Sequence, residues 1–245
     1  MLVMRQQHAD LETAREFYAT MAETLQPGFV STVVGGLEGR SSLVSDLMAR
    51  DLEGPGLSEL LSLFFGYRRQ RGKLLAAVNG GRLSELLAIL RTDPVAGLEA
   101  LEREDEEGRW RLFELGTEVL HALEPARFPL WTRWVFDEEA ETGALLLIID
   151  EETDLFGDNR IDTYGRIQRL NGYLLQTLGA AGMPVDSLQP FSLDVFLAGV
   201  YGVYTQTVLQ MRMSKEFNKL LPGLGEFIQR LLGTSIGGMK GAGSR

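Results

Sequence analysis

The sequence has no cysteine and only two histidines, His8 and His121. The missing cysteines exclude disulfides, thiolate metal sites and cysteine nucleophiles, and two histidines are too few for a histidine-rich metal site. Positive charge is also scarce, because 24 basic residues stand against 34 acidic ones and give a formal net charge of -10. A general nucleic-acid-binding protein has a net basic footprint, so the composition argues against that class.

The chain also lacks an apolar run of the length that a membrane span needs, about 20 residues. The longest uncharged run, Val195 to Met211, contains polar residues in its second half: Thr205, Gln206, Thr207 and Gln210. We therefore predict that this run is a core helix and not a membrane span. The N-terminal segment turns polar after four residues and has no apolar region of a signal peptide, so we expect a cytoplasmic protein.

The most apolar stretch, residues 190–213, is predicted to be the central helix on which the other helices pack. Ser192 is a favourable N-cap residue, so we expect this helix to begin there. Apolar side chains fall on every face, which is typical of a helix surrounded by other parts of the protein. Ala198, Gly199 and Gly202 lie within it, and the glycines lower its helix propensity. We therefore predict a close helix crossing at these small residues.

Helical spacing of apolar residues through most of the chain predicts a mainly α fold, with a single multi-helix domain around the buried central helix. The predicted exception is a β-hairpin near residues 128–150, where two aromatic or β-branched runs flank a polar turn that contains Gly143. We assign residues 1–221 to the helical domain. Residues 222–245 are predicted to form a C-terminal amphipathic arm and a flexible tail.

Two segments resemble parts of a nucleotide-binding site. VGGLEGRSS at residues 34–42 resembles a phosphate loop, and LLLIIDEE at residues 145–152 resembles the apolar strand and acidic pair that hold magnesium. The first match is incomplete, because its glycines enclose three residues instead of four and Arg40 stands where the motif has lysine. For residues 29–52 we expect a short strand, a glycine loop and a helix. A nucleotide-binding enzyme with a degenerate phosphate loop is kept as an alternative.

Glu118 and His121 have the Glu-x-x-His spacing of di-iron helical bundles, in which both side chains share one face of a helix. Such bundles need two copies of this motif, and the chain has one. We therefore expect an ordinary helix histidine and predict no metal and no cofactor. No catalytic residue is assigned.

The strongest polar signal is a basic patch, defined as Arg68, Arg69, Arg71 and Lys73, which puts four positive charges into six positions of an acidic chain. One interpretation is a solvated helix face. The other is a docking site for an acidic protein surface or a phosphate backbone.

Aromatic and apolar residues provide two further candidate partner-binding sites. In a strand, Trp131 and Trp134 would face opposite sides, which leaves one of them for solvent or a partner. In the C-terminal arm, Leu224, Phe227 and Ile228 give an apolar face to a helix too short to be stable alone in water. That helix must lie against a partner, against a second copy of the chain or against its own domain.

These observations favour a non-enzymatic protein-interaction or assembly protein in the cytoplasm, with a protein partner or a second copy of the chain. The first alternative is a nucleic-acid-associated protein that uses the basic patch at residues 68–73, and the second is the nucleotide-binding enzyme. No membrane association is expected.

Overall fold

The computed structural model describes residues 9–50, 52–105, 107–183, 189–212 and 222–234, which fold as a packed set of helices. The predicted mainly α, multi-helix architecture is confirmed. Most of the predicted tail, residues 235–245, lies outside the described residues. The helices are α1 (Leu11–Thr24), α2 (Phe29–Met48), α3 (Pro55–Leu63), α4 (Phe65–Arg68), α5 (Arg71–Ala77), α6 (Gly80–Thr92), α7 (Pro94–Glu104), α8 (Leu112–Leu123), α9 (Arg160–Ala181), α10 (Pro190–Arg212) and α11 (Leu224–Leu231).

Side-chain caps fix the starts of several helices. The Asp10 carboxylate accepts a hydrogen bond from the Thr13 backbone N–H at 3.1 Å and begins α1. Asp93 does the same for α7, where Pro94 occupies the first helical position and needs no hydrogen-bond partner for its nitrogen. Because caps depend on residues close in sequence, these boundaries follow from local chemistry.

The central helix is α10, and α1, α2, α9 and α11 pack against it. It begins at Pro190, so the prediction that Ser192 is its N-cap was wrong: proline with its fixed φ suits the first turn, and Ser192 lies inside the helix. No helix among the described residues is both long and apolar enough to cross a lipid bilayer. The first half of α10 is buried at Leu193, Val195, Phe196, Leu197, Ala198 and Val200, whereas the second half includes the exposed Tyr204.

The predicted close crossings on α10 are confirmed at both glycines. A Cβ atom at Gly199 would collide with the Met21 side chain of α1. A Cβ atom at Gly202 would lie 2.8 Å from Leu224 Cδ1 of α11. The small residues therefore let two other helices approach the central helix closely.

An equally close crossing joins α6 and α7, and it supports a test of the packing. A Cβ atom at Gly97 would lie 2.6 Å from the backbone nitrogen of Leu90, which cannot move without moving α6. We expect Gly97→Ala to lower the free energy of unfolding by about 1–3 kcal/mol, as other overpacking substitutions do. Urea unfolding measures this change.

The matched control is Gly39→Ala in α2, where an added Cβ meets no atom within 4 Å. Alanine has the better helix propensity, so the control should gain about 0.5–1 kcal/mol. Equal effects of the two substitutions would contradict the close α6–α7 crossing.

The predicted β-hairpin at residues 128–150 was wrong. Within that segment the described residues form one bridge with each other, Asp137 with Thr142, and a short 3₁₀ helix, Leu145–Leu147, while Ile149 bridges to Ala9 outside the segment. Val135 and Phe136 are consecutive and both buried, which does not fit a hairpin strand with one face in solvent. Their backbone N–H groups both donate to the Thr132 carbonyl in a turn, so they are not available to a strand ladder.

The predicted strand and glycine loop within residues 29–52 were also wrong, because α2 runs unbroken through residues 29–48. Its glycines are helical, and so no loop of free N–H groups is present there to hold a phosphate. The buried residues of α2 explain the helix, since they recur at helical spacing on the face toward the core: Val33, Val34, Leu37, Val44, Leu47 and Met48.

Candidate functional site

A solvent-open cavity of about 740 Å³ lies between α4, α8, α10, α11 and the two loops that flank α8. We call it the aromatic groove. This volume falls within the range of about 300–1,000 Å³ that is common for ligand pockets. Its walls carry six aromatic side chains, Phe65, Tyr67, Trp110, Trp134, Tyr201 and Phe227, and four arginines, Arg109, Arg111, Arg133 and Arg230.

One wall of the groove is a continuous aromatic surface built from three distant parts of the chain. The rings of Trp134 and Tyr201 are 6.4 Å apart between centroids, and those of Tyr201 and Phe227 are also 6.4 Å apart and stacked. All three side chains are only partly buried. On α4, Phe65 is 56% exposed. Partly exposed aromatic residues that line a concave surface are typical of interface anchors.

Residues 107–111, the described segment directly before α8, are hydrogen-bonded to Asp105 and Tyr67 at the edge of the groove. The Asp105 carboxylate accepts hydrogen bonds from the backbone N–H groups of Trp110 and Leu112, at 3.0 Å and 3.2 Å. Arg111 has a φ of 54°, which is costly for a residue with a side chain. The Tyr67 hydroxyl donates to the Arg111 carbonyl at 2.8 Å and helps to hold this strained residue in place.

Most charges in the groove are paired inside the protein. Arg133 lies 3.9 Å from Glu114, 3.8 Å from Asp137 and 3.2 Å from Glu139. Arg111 is 4.0 Å from Glu114, and Arg230 pairs with Glu226. Arg109 differs, because it stacks on the Trp110 ring at 5.1 Å and has no carboxylate within ion-pair distance in the described part of the chain.

Among the carboxylates that line the groove, Glu118 of α8 differs from Glu114 and Asp137 because no arginine lies within ion-pair distance of it in the described part of the chain. It forms neither a hydrogen bond nor an ion pair with any described residue, although its side chain is largely buried. Burial raises the pKa of Glu118 to about 7, and the positive charge of Arg40 only partly opposes this shift. The nearby charge of Glu114 raises the pKa further. Glu118 therefore changes its charge near neutral pH.

His121, three residues further along α8, faces the core. Its Nε2 lies 2.7 Å from Asp194 Oδ2 of α10, and its Nδ1 lies 2.7 Å from the Phe128 carbonyl oxygen. Burial by itself lowers the pKa of His121, but the charge of Asp194 and the hydrogen bonds to Asp194 and Phe128 together raise it above the ordinary value. His121 and Asp194 thus form a buried, hydrogen-bonded link between α8 and α10.

The Glu-x-x-His spacing does not produce a metal site in this structure, because Glu118 lines the groove and His121 binds Asp194. Across the described ranges, no group of three or more acidic or histidine side chains is placed to hold a metal ion.

The basic patch lies next to the groove, at the junction between α4 and α5. Gln70 lines the groove, and its neighbours Arg69 and Arg71 are both exposed. The four residues do not share one helix, because α4 ends at Arg68 and α5 begins at Arg71. The patch therefore extends from the last residue of α4, through the turn at Arg69, into the first turn of α5.

The other predicted partner-binding residues have different positions. Trp134 and Phe227 come together in the groove, whereas Trp131 is buried and donates its indole N–H to the Phe136 carbonyl at 2.9 Å. Leu224 and Ile228 are buried in the core, and α11 packs on α10, so the C-terminal segment lies against its own domain. Of the three candidate residues in the C-terminal arm, only the Phe227 side chain is partly exposed to solvent.

Sequence reasoning did not single out the other groove residues as partners. Phe65 and Tyr201 lie in apolar runs that predict core helices, and Arg109 and Arg133 lie in segments of mixed composition. No local pattern distinguishes a residue at a groove from one in the core. Comparison of the chain with protein-family models, with curated proteins and with solved structures finds no match.

Proposed function

We propose that this chain is a non-enzymatic protein-interaction module that binds a segment of a partner protein in the aromatic groove. The observation that carries the proposal is the continuous wall of Trp134, Tyr201 and Phe227 in an open cavity that arginines also line. Aromatic residues and arginine are the side chains most enriched among the residues that dominate binding energy at protein interfaces.

The shape of the groove favours an extended segment over a whole protein surface. Its walls come from α4, α8, α10, α11 and the adjoining loops, and an apolar side chain that enters it can contact several aromatic rings at once. Strong interface anchors fill such pockets and exclude water from their surroundings. The ordered loop before α8 adds to affinity, because a preorganised site loses less entropy on binding.

The proposal is tested by selecting binders from a randomised peptide display library with the purified protein. We expect recovered peptides to share an aromatic or large aliphatic anchor. Trp134→Ala and Phe227→Ala should each weaken binding of these peptides by about 30-fold, which corresponds to the loss of one strong anchor contact of about 2 kcal/mol. Isothermal titration calorimetry measures the affinities.

The matched control is Tyr173→Ala, which removes an aromatic side chain that is 52% exposed on α9, away from the groove. Its binding should equal that of the wild type. Circular dichroism verifies that all three variants remain folded. Failure to recover any peptide whose binding depends on Trp134 or Phe227 would refute the proposed function.

A further inference from the structure

We infer that the segment bound in the aromatic groove is acidic, and that the basic patch beside the groove is its electrostatic complement. This inference rests on the proposed function, because it names the chemistry of the partner that the groove accepts. Its basis is the difference between the charges inside the groove and those at its edge.

Inside the groove, the arginines Arg111, Arg133 and Arg230 already have carboxylate partners. At the edge, the four cations of the basic patch have none: in the described part of the chain, no carboxylate lies within ion-pair distance of Arg68, Arg69, Arg71 or Lys73. Arg109 on the loop before α8 is unpaired as well. Cations without an ion pair therefore lie at two edges of the groove, on the basic patch and on the loop before α8.

This arrangement is unusual for a chain with a net charge of -10, in which carboxylates outnumber cations. Elsewhere on the surface, Arg82, Arg127 and Arg166 pair with carboxylates, and arginines without an ion pair to a described residue, such as Arg50, Arg103 and Arg169, lie far apart in the sequence, whereas the patch places four such cations within six positions. Like charges that stand together without counter-charges destabilise the compact state and attract ligands of opposite charge. No described carboxylate of this chain pairs with these cations, so we infer that the carboxylates of a bound partner do.

Two guanidinium groups of the patch are held in place by backbone oxygen atoms. Arg68 Nε donates to the Ser62 carbonyl at 3.0 Å, and one terminal nitrogen of Arg71 donates to the Arg68 carbonyl at 2.5 Å. Each guanidinium keeps further N–H donors, because the group has five in all. Fixed donors with remaining hydrogen-bonding capacity are suited to carboxylates, which accept paired N–H groups.

The basic patch adjoins the groove because its residues are next in sequence to residues that line the groove. Tyr67 and Gln70 line the groove, and Arg68, Arg69 and Arg71 are their immediate neighbours. A segment anchored against Trp134 and Phe227 therefore needs to extend only a short distance to reach the patch.

An acidic peptide fits these charges better than a nucleic acid does. The groove also contains Glu114, Glu118 and Asp137, which repel a continuous phosphate backbone. A peptide can place its anchor next to these carboxylates and its acidic residues outside them, on the patch.

The test compares peptides recovered from the same display library with three baits. The wild-type protein should enrich Asp and Glu next to the anchor. A charge-reversed variant, Arg69→Glu, Arg71→Glu and Lys73→Glu, should lose this preference and weaken the binding of acidic peptides by at least about tenfold at low salt. Added salt should reduce the wild-type preference, because it screens exposed charges.

The control bait carries Arg50→Glu, Arg103→Glu and Arg169→Glu, three exposed arginines outside the groove and the patch, so that its net charge changes equally. It should recover the same acidic peptides as the wild type. Recovery of anchored peptides with no acidic bias would overturn this inference and leave the proposed function intact, whereas recovery of no anchored peptide would refute both. Tighter, patch-dependent binding of a single-stranded polyuridine oligonucleotide than of any recovered peptide would also overturn it.

Discussion

Asp194→Ala is expected to lower the free energy of unfolding by about 3–5 kcal/mol, the usual effect of removing one partner of a buried ion pair. The Asp194 carboxylate is 2.7 Å from His121 Nε2, and both side chains are at most 5% exposed. Without Asp194, the buried imidazole loses its acceptor, and water cannot readily replace it. Chemical denaturation at pH 6, where His121 is protonated in the folded wild-type protein, measures the change.

An exposed ion pair provides the control for this substitution. Arg127 and Glu124 are 3.5 Å apart, and their side chains are 58% and 56% exposed. Glu124→Ala should therefore change stability by less than about 1 kcal/mol. The double variant His121→Leu, Asp194→Ala should lose less stability than the two single variants combined, because neither member of the ion pair is left buried without the other, although the Phe128 carbonyl still loses its donor. Strict additivity would contradict a direct interaction between the two side chains.

The second large effect is expected from Glu118→Gln, which should stabilise the protein at pH 8. Glu118 has a pKa of about 7 in the folded protein against the ordinary 4.5, so the folded state disfavours its charged form. The raised pKa corresponds to a stability contribution that is fully present below pH 4.5 and is lost as the pH rises through about 7. The loss amounts to at most about 3 kcal/mol, because each pKa unit corresponds to about 1.4 kcal/mol and the carboxylate retains some solvent contact.

Glutamine cannot ionise, so the variant should match the wild type at pH 4 and exceed its stability at pH 8. Glu99→Gln is the control, since Glu99 is exposed on α7 and has no ion pair with a described residue. Denaturant midpoints across the pH range provide the measurement. A wild-type advantage at pH 8 would mean that Glu118 has a cationic partner and that its pKa is not raised.

The same variant separates the titration of Glu118 from that of His121 on the same helix. The pKa of His121 is raised above 6.5, so its stability contribution is present below pH 6.5 and is lost as the pH rises through the folded value. In the Glu118→Gln background, the part of the remaining loss of stability above pH 6.5 that belongs to His121 should disappear when Asp194→Ala is added, whereas any part from Glu114, whose pKa burial also raises, should remain.

Glu118 also connects stability with the proposed function. A carboxylate that lowers stability at neutral pH, yet lies at an open groove, is a feature that packing alone does not explain. Binding sites commonly retain residues that lower stability, because the requirements of function compete with those of folding.

The sequence by itself determined which chemistry the composition excludes, the mainly helical fold and several helix boundaries. Without cysteine, no disulfide or thiolate chemistry is available whatever the fold. Asp10 and Asp93 begin their helices because a cap needs only a backbone N–H three residues away. The apolar run of α10 predicted a buried helix, and its glycines predicted the close crossings. Each of these inferences depends on chemistry within a few residues.

Only the tertiary structure decided the secondary structure of residues 29–48 and 128–150. Residues 29–48 contain both a β-branched run and three glycines, and their burial against α8 and α10 makes them one helix. At residues 128–150, apolar packing on consecutive residues outweighs the strand propensity of the same side chains.

The aromatic groove could not be found in the sequence, because Trp134, Tyr201 and Phe227 come from segments that lie far apart in the chain and meet only after folding. The same holds for His121 and Asp194, which are separated by 73 positions. An amphipathic pattern indicates which face of a helix is apolar. Whether that face meets the core or lines an open groove depends on which helices lie opposite, and only the packing of the whole chain determines this.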